Sequence, residues 1–155
     1  GDIDGDGRPD LVFATHLGGT GAGSISAVSM SGVQITGFPV QLGDAAVSTV
    51  LIADVDGNAT NEVIAVTRTG RIVAYKSDGS ALPGTPIETG VAPVGAPAIA
   101  DIDADGAWEL MVAGSDRRLR VYNLPAHSAE TRRAAWARYR GDDQRTARYA
   151  GEFVH

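Results

Sequence analysis

Asp2-Ile-Asp-Gly-Asp-Gly-Arg-Pro-Asp10 and Asp101-Ile-Asp-Ala-Asp-Gly-Ala-Trp-Glu109 share the pattern D-x-D-x-D-G-x-x-[DE], and Asp54-Val-Asp-Gly-Asn-Ala-Thr-Asn-Glu62 is a weaker third copy. Oxygen ligands at alternate positions of a tight turn suit a hard cation of the size of Ca²⁺. Each copy runs into a short apolar stretch: Leu-Val-Phe-Ala-Thr, Val-Ile-Ala-Val-Thr or Leu-Met-Val-Ala-Gly. Such stretches are typical of buried strands and lack the amphipathic period of a helix. An EF-hand loop needs helices on both sides and a bidentate Glu at its twelfth position. The twelfth residues here are Phe13, Ala65 and Val112, and the last acid stands at position nine, as Asp10, Glu62 and Glu109. The pattern predicts cation loops that join strand to strand.

The loops belong to a repeat. Asp54 and Asp101 are 47 residues apart, and the same offset aligns Ile25 with Ile72, Ile72 with Leu119, Tyr75 with Tyr122, Gly37 with Gly84 and Pro39 with Pro86. Asp2 lies 52 residues before Asp54, so the first unit carries five extra residues, placed within the Gly-rich text of 16–23 as a longer hairpin loop. In the second unit, strands are expected at 49–53, 62–67, 71–76 and 86–88, with turns at Thr69-Gly70 and Asp78-Gly79. Four strands per ~40–50 residues is the size of one β-propeller blade. The predicted fold is therefore all-β: about three four-stranded blades over 1–125 (units 1–46, 47–93 and 94–125), with the cation loop between first and second strands, and a C-terminal closing segment at 126–155.

The loops, the strands after them and the Gly-Phe-Pro-Val turn at 37–40 resemble FG-GAP/VCBS-type repeats, the calcium-binding blades of integrin α-chain-like propellers common in secreted bacterial proteins. The tail Trp136-Ala-Arg-Tyr-Arg-Gly-Asp142-Asp-Gln-Arg145-Thr-Ala-Arg-Tyr149 is similar to the segment that closes many bacterial propellers of this type, roughly W-x-x-[FY]-x-x-D-x-x-R-T-G-x-Y. This chain departs from that pattern at Ala147. The resemblance implies Ca²⁺ as cofactor, a secreted or cell-surface location, and a binding or adhesion role toward a protein or glycan outside the cell. Propellers close with ~4–8 blades. The chain opens at Gly1, one residue before a ligand and without Met, and is expected to be the C-terminal piece of a longer chain. Its remaining blades would come from that chain, or from other copies that assemble with it.

Composition narrows the field. The net charge is −6, but 1–125 hold seven basic against fifteen acidic residues, while 126–155 hold six against four. Eleven of the acids lie in the three loops, so bound cations would bring the body near neutrality. Basic residues do not cluster with aromatics, which argues against nucleic-acid binding. No apolar run approaches the ~20 residues of a membrane helix. The absence of cysteine removes disulfides, thiol catalysis and Cys-ligated zinc. Calcium loops outside cells typically bind at ~10⁻⁴–10⁻³ M, which again favours an extracellular location.

Expected ligands in the first loop are Asp2, Asp4, Asp6, the Arg8 carbonyl and Asp10, with Gly7 at the turn. In the third they are Asp101, Asp103, Asp105, the Ala107 carbonyl and Glu109, with Gly106 at the turn. The second offers Asp54, Asp56, Asn58, the Thr60 carbonyl and Glu62. There Ala59 stands at the Gly position, where positive φ costs ~1 kcal/mol, and Asn58 removes one charge, so weaker affinity is expected. The apolar residues between the first two acids, Ile3, Val55 and Ile102, are expected to pack beneath their loops.

Trp108 is expected either to cover the metal loop or pack between blades, or else to offer an exposed stacking surface to sugar. The Arg-rich stretch 132–140 either forms a short helix capped by Ser128 or lies across the last blade with Trp136 and Tyr139 buried. Arg140-Gly141-Asp142 spells the integrin-recognised tripeptide, but a three-residue match inside the tail pattern carries little weight. Gly19-Thr-Gly-Ala-Gly23 lacks the Lys-Ser/Thr ending of a phosphate loop. His16, His127 and His155 are scattered, and no nucleophile elbow is present. No catalytic residue emerges. The expected function is a non-catalytic, calcium-stabilised binding or scaffolding module. The alternatives are a carbohydrate-binding propeller, or an accessory piece of a secreted polysaccharide lyase or protease.

Overall fold

The computed structural model describes residues 1–16, 22–47, 49–126 and 134–136. Among them the fold is all-β, without a helix. Strands β1 (Asp10–His16), β2 (Gly23–Ser29) and β3 (Val40–Gln41) form one antiparallel sheet in chain order. Strands β4 (Leu51–Ala53), β5 (Glu62–Val66), β6 (Arg71–Tyr75) and β7 (Ile87–Glu88) form a second, and β8 (Ala98–Ala100), β9 (Ala107–Ala113) and β10 (Leu119–Ala126) a third. The strands expected in the second unit are thus present, with β4 to β7 somewhat shorter than read from the sequence, whereas the first and third sheets each have three strands among the described residues instead of the expected four.

Strand β11 (Ala134–Trp136) pairs antiparallel with β4, placing Ala134 opposite Ala53 and adding a fifth strand to the second sheet. On its other side β4 pairs with β5, so β11 covers what would otherwise be an open row of amides and carbonyls. At 134–136 the tail is therefore a strand on the second sheet, neither a helix nor a cover over the third. Ser128, Tyr139, the Arg-Gly-Asp tripeptide, His127, His155 and most of the Gly-rich loop fall outside the described residues.

The three sheets stack face to face. One core joins the first and second sheets, with Ile25, Ala27 and Val40 meeting Ile52, Val63, Ala65 and Val73. The other joins the second and third, with Leu51, Ile64, Val66, Ile72 and Ala74 meeting Ile99, Leu110 and Val112. Successive side chains of a strand point to opposite faces, so a strand buried on both faces carries apolar residues in succession, as β5 does from Val63 to Val66 after the buried Glu62. Each fully buried Val, Leu or Ile contributes about 1.5–3 kcal/mol.

The linkers repeat as well. Val47 N donates to Val66 O and Arg68 N to Ala45 O; 47 residues on, Val94 N donates to Ala113 O and Ser115 N to Ala92 O. Each linker is thereby pinned to the far end of the sheet it enters.

Ile3 and Val55 are buried as expected, but Ile102 is 54% exposed. Ile3 belongs to the core between the first two sheets and Val55 to the core between the second and third. This position faces the following sheet, and among the described residues no sheet follows the third. The same holds for Leu119 and Val121, the counterparts of the buried Ile72 and Ala74. At the opposite end, Leu11 and Phe13 correspond to buried Val63 and Ala65 and are exposed. The stack therefore ends in two apolar faces that are the two halves of the interface it uses twice internally.

Candidate metal centres

Each acidic loop wraps its own carboxylates with its own amides. In the first, Gly5 N and Gly7 N donate to the two oxygens of Asp2 at 2.8 and 3.0 Å, Asp6 N donates to Asp4, and Arg8 N to Asp6. In the second, Gly57 N and Ala59 N donate to the two oxygens of Asp54 at 2.7 and 3.0 Å, Asn58 N donates to Asp56, and Thr60 N to Asn58 Oδ1. In the third, Asp105 N donates to Asp103 and Ala107 N to Asp105.

These turns need two left-handed residues each. Positions four and six carry them: Gly5 and Gly7, Gly57 and Ala59, Ala104 and Gly106, with φ between 61° and 97°. Strain at Ala59, φ 68°, follows from its place in the motif. Ala104, φ 61°, was not foreseen, because only position six was read as a glycine site. A left-handed alanine costs roughly 1–2 kcal/mol, so the second and third loops each hold one strained residue.

The acid at position nine closes each loop from below. Asp10 Oδ2 accepts from Ile3 N at 2.8 Å, Glu62 Oε2 from Val55 N at 2.9 Å, and Glu109 Oε2 from Ile102 N at 2.8 Å. Glu62 and Glu109 are 0% and 2% exposed. In both, the second oxygen, Oε1, is buried and has no hydrogen-bond partner among the described residues. Burial raises the Glu62 carboxyl to about 7, with the neighbouring Asp56 and Asp54 adding to the rise against the Val55 amide. Burial also raises Asp10. A buried carboxylate oxygen without a partner is expensive, and a cation within the loop would supply the missing partner.

Three carboxylates converge in each loop, with ligand oxygens within 4.8 Å of one another: Asp2, Asp4 and Asp6; Asp54, Asp56 and Glu62; Asp101, Asp103 and Glu109. Each group can hold a metal ion. Asp10 stays outside the first group, since aspartate is one methylene shorter than the glutamates at the same position, and Asp105 stays outside the third. Asn58 turns its oxygen to Thr60, whose amide and hydroxyl both donate to it. For Arg8, Thr60 and Ala107 the expected ligand is a main-chain carbonyl, which that convergence of side chains does not include.

Two groups near the loops were not read from the sequence. Lys76 Nζ lies 3.2 Å from Asp56 Oδ2. Asn61 Nδ2 donates to the carbonyl of Asp2 at 2.7 Å, linking the second loop to the first. Neither partner could be found from the loop motif, since one is 20 residues downstream and the other contact crosses between units. Trp108 is half-buried and packs against the core between the second and third sheets. No helix among the described residues is long and apolar enough to cross a membrane. No family model, no curated protein and no solved structure matches this chain.

Proposed function

We propose that the chain is a non-catalytic, calcium-stabilised binding or scaffolding module of a secreted or cell-surface protein, built from propeller blades of the FG-GAP/VCBS type. The observation that carries this reading is the buried acid at position nine of the second and third loops, whose Oε1 has no hydrogen-bond partner among the described residues while its Oε2 is held by the loop's own amide. All-oxygen ligands on a flexible, Gly-permitted turn favour Ca²⁺ over Mg²⁺, which demands a stricter octahedron, and over softer metals that prefer nitrogen or sulfur. The ion's role is structural: it neutralises crowded carboxylates and fixes the connection from the first to the second strand of each sheet.

The exposed faces at Leu11 and Phe13 and at Ile102, Leu119 and Val121 take further blades, from the same longer chain or from other copies. The ligand for the assembled module is a protein or glycan outside the cell. The carbohydrate-binding alternative is the weaker one, because Trp108 is half-buried and packs against the second core. Counting ions bound to the purified chain after dialysis against Ca²⁺, Mg²⁺ or Zn²⁺ tests the proposal. Preferential retention of Ca²⁺ with a rise in Tm supports it, and retention of none overturns it.

A further inference from the structure

Basic residues are concentrated at one end of the strands. Five of the seven in 1–125, Arg68, Arg71, Arg117, Arg118 and Arg120, lie in or just after two hairpin turns, β5 to β6 and β9 to β10. Both turns hold one linker: Thr89 N donates to Gly70 O at 2.9 Å and Ser115 N to Ala92 O at 2.8 Å, so the turns are neighbours. The period of 47 makes Arg71 and Arg118 equivalent, one sheet apart, a spacing of about 10 Å where sheets pack face to face. The acidic loops sit at the other ends of β5 and β9, about 17 Å away along the five residues of β5. That exceeds the Debye length at physiological salt.

The acids at this end do not cancel the arginines. Arg120 is clamped by both oxygens of Asp116, at 3.1 and 2.9 Å. Arg71 donates to Glu88 through Nε at 3.0 Å, and Arg68 lies 3.6 Å from Asp44. Arg117 and Arg118 are exposed and form no ion pair among the described residues. Arg117 also stands at φ 65°, where the equivalent residue of the second unit is Gly70 at φ 88°. A Cβ makes that conformation unfavourable, and strain kept at an exposed turn points to a use for the side chain. The turns 67–71 and 114–118 contain no aromatic and no apolar residue. They give a base nothing to stack on and a protein partner no anchor, whereas guanidinium forks match the oxygens of acidic groups.

We propose that this end is a binding surface for an anionic polysaccharide, with Arg68, Arg71, Arg117 and Arg118 meeting its carboxylate or sulfate groups. A polymer with repeated charges engages both turns at once, which a single small anion cannot. The contact is ionic and does not use the ring of Trp108. The inference rests on the reading of the chain as an extracellular binding module and names its ligand class; it does not need calcium in the loops.

The test is titration of the full chain with polygalacturonate, dextran sulfate, neutral dextran and single-stranded DNA, in Ca²⁺ and in EDTA. It compares the wild type with Arg117→Gly and with the double variant Arg117→Gly/Arg118→Ser, and bound Ca²⁺ is counted on the same samples. The wild type binds polygalacturonate or dextran sulfate but not dextran, in both buffers, and loses affinity as salt rises. Arg117→Gly weakens binding about threefold and the double variant about tenfold, as exposed ionic contacts allow, and neither lowers Tm. A double variant that binds as tightly as the wild type, a wild type that binds neither acidic polymer, or DNA held more tightly than both overturns the inference, while the ion count decides the calcium reading separately. Binding that vanishes in EDTA from a chain that stays folded assigns the contact to ions in the loops and overturns the arginine surface. Polysaccharide held by a chain that retains no Ca²⁺ supports the surface and overturns the calcium reading.

Discussion

Asn61 of the second loop donates its side-chain amide to the main-chain carbonyl of Asp2, the first acid of the first loop, at 2.7 Å. The bond reaches across 59 positions of sequence and ties one sheet's candidate centre to the next. Pro9 and Trp108 stand at the equivalent positions, so this tie exists between one pair of loops alone. Asn61→Ala is expected to destabilise the chain by about 1 kcal/mol, the net worth of one hydrogen bond, and to weaken Ca²⁺ at the first loop. Urea unfolding in saturating Ca²⁺ and in EDTA checks both; equal midpoints for variant and wild type would contradict the link.

Gly37 and Gly79 lie backbone to backbone. A Cβ on Gly37 would sit 2.0 Å from Asp78 O, and one on Gly79 would sit 2.1 Å from Gly37 O, with φ values of 91° and 78°. Gly79→Ala is expected to cost more than about 2 kcal/mol, combining left-handed strain with a clash against rigid backbone. Gly43, φ 70° with nothing within 4 Å, separates the two effects: Gly43→Ala should cost only about 1 kcal/mol. Chemical denaturation of the pair of variants gives the difference.

What the sequence made legible was what is encoded locally. Alternating acids, the period of 47 and the apolar strands are one-dimensional patterns, and they led to three sheets with an acidic loop at the same place in each. What it hid depends on neighbours in space. Ile102 has the same local text as Ile3 but, among the described residues, no following sheet to pack on, and Lys76 meets Asp56 only because β6 lies beside β5. Ala104 adopts a glycine conformation because its loop imposes it, not because its identity favours it.

Two carboxyls give opposite pH dependences. Burial alone would raise Asp44, but the Thr69 and Ala45 amides and the Thr69 and Thr67 hydroxyls hold it below its ordinary value. Its stabilisation is present above the unfolded value of 3.8 and is lost as pH falls through the lower folded value. Glu62 is raised from 4.5 to about 7. In the metal-free chain its contribution is therefore fully present below 4.5 and is lost as pH rises through about 7. Calcium requires the ionised carboxylate, so the gap in Tm between Ca²⁺ and EDTA should widen as pH rises through that range. Melting curves across the pH series check it; a gap that narrows above pH 7 would contradict the assignment.

The two end faces predict association. Phe13→Arg and Val121→Arg each place a charge on one exposed face, and each should reduce self-association and hydrophobic-dye binding without lowering Tm. Val63→Arg, at the buried counterpart of an end-face position, should unfold the chain instead. Light scattering over a concentration series tests this, and a wild-type chain that stays monomeric and binds no dye would contradict it.

The central claim is that metal ions complete the acidic loops and hold the stack together. The most direct measurement is a count of Ca²⁺ bound per chain, paired with thermal unfolding in Ca²⁺ and in EDTA. The account predicts about two or three ions and a Tm several degrees higher in Ca²⁺, as binding to the folded state alone requires. No bound ion and identical melting curves would contradict it, and the loops would then be solvated turns held by their own amides.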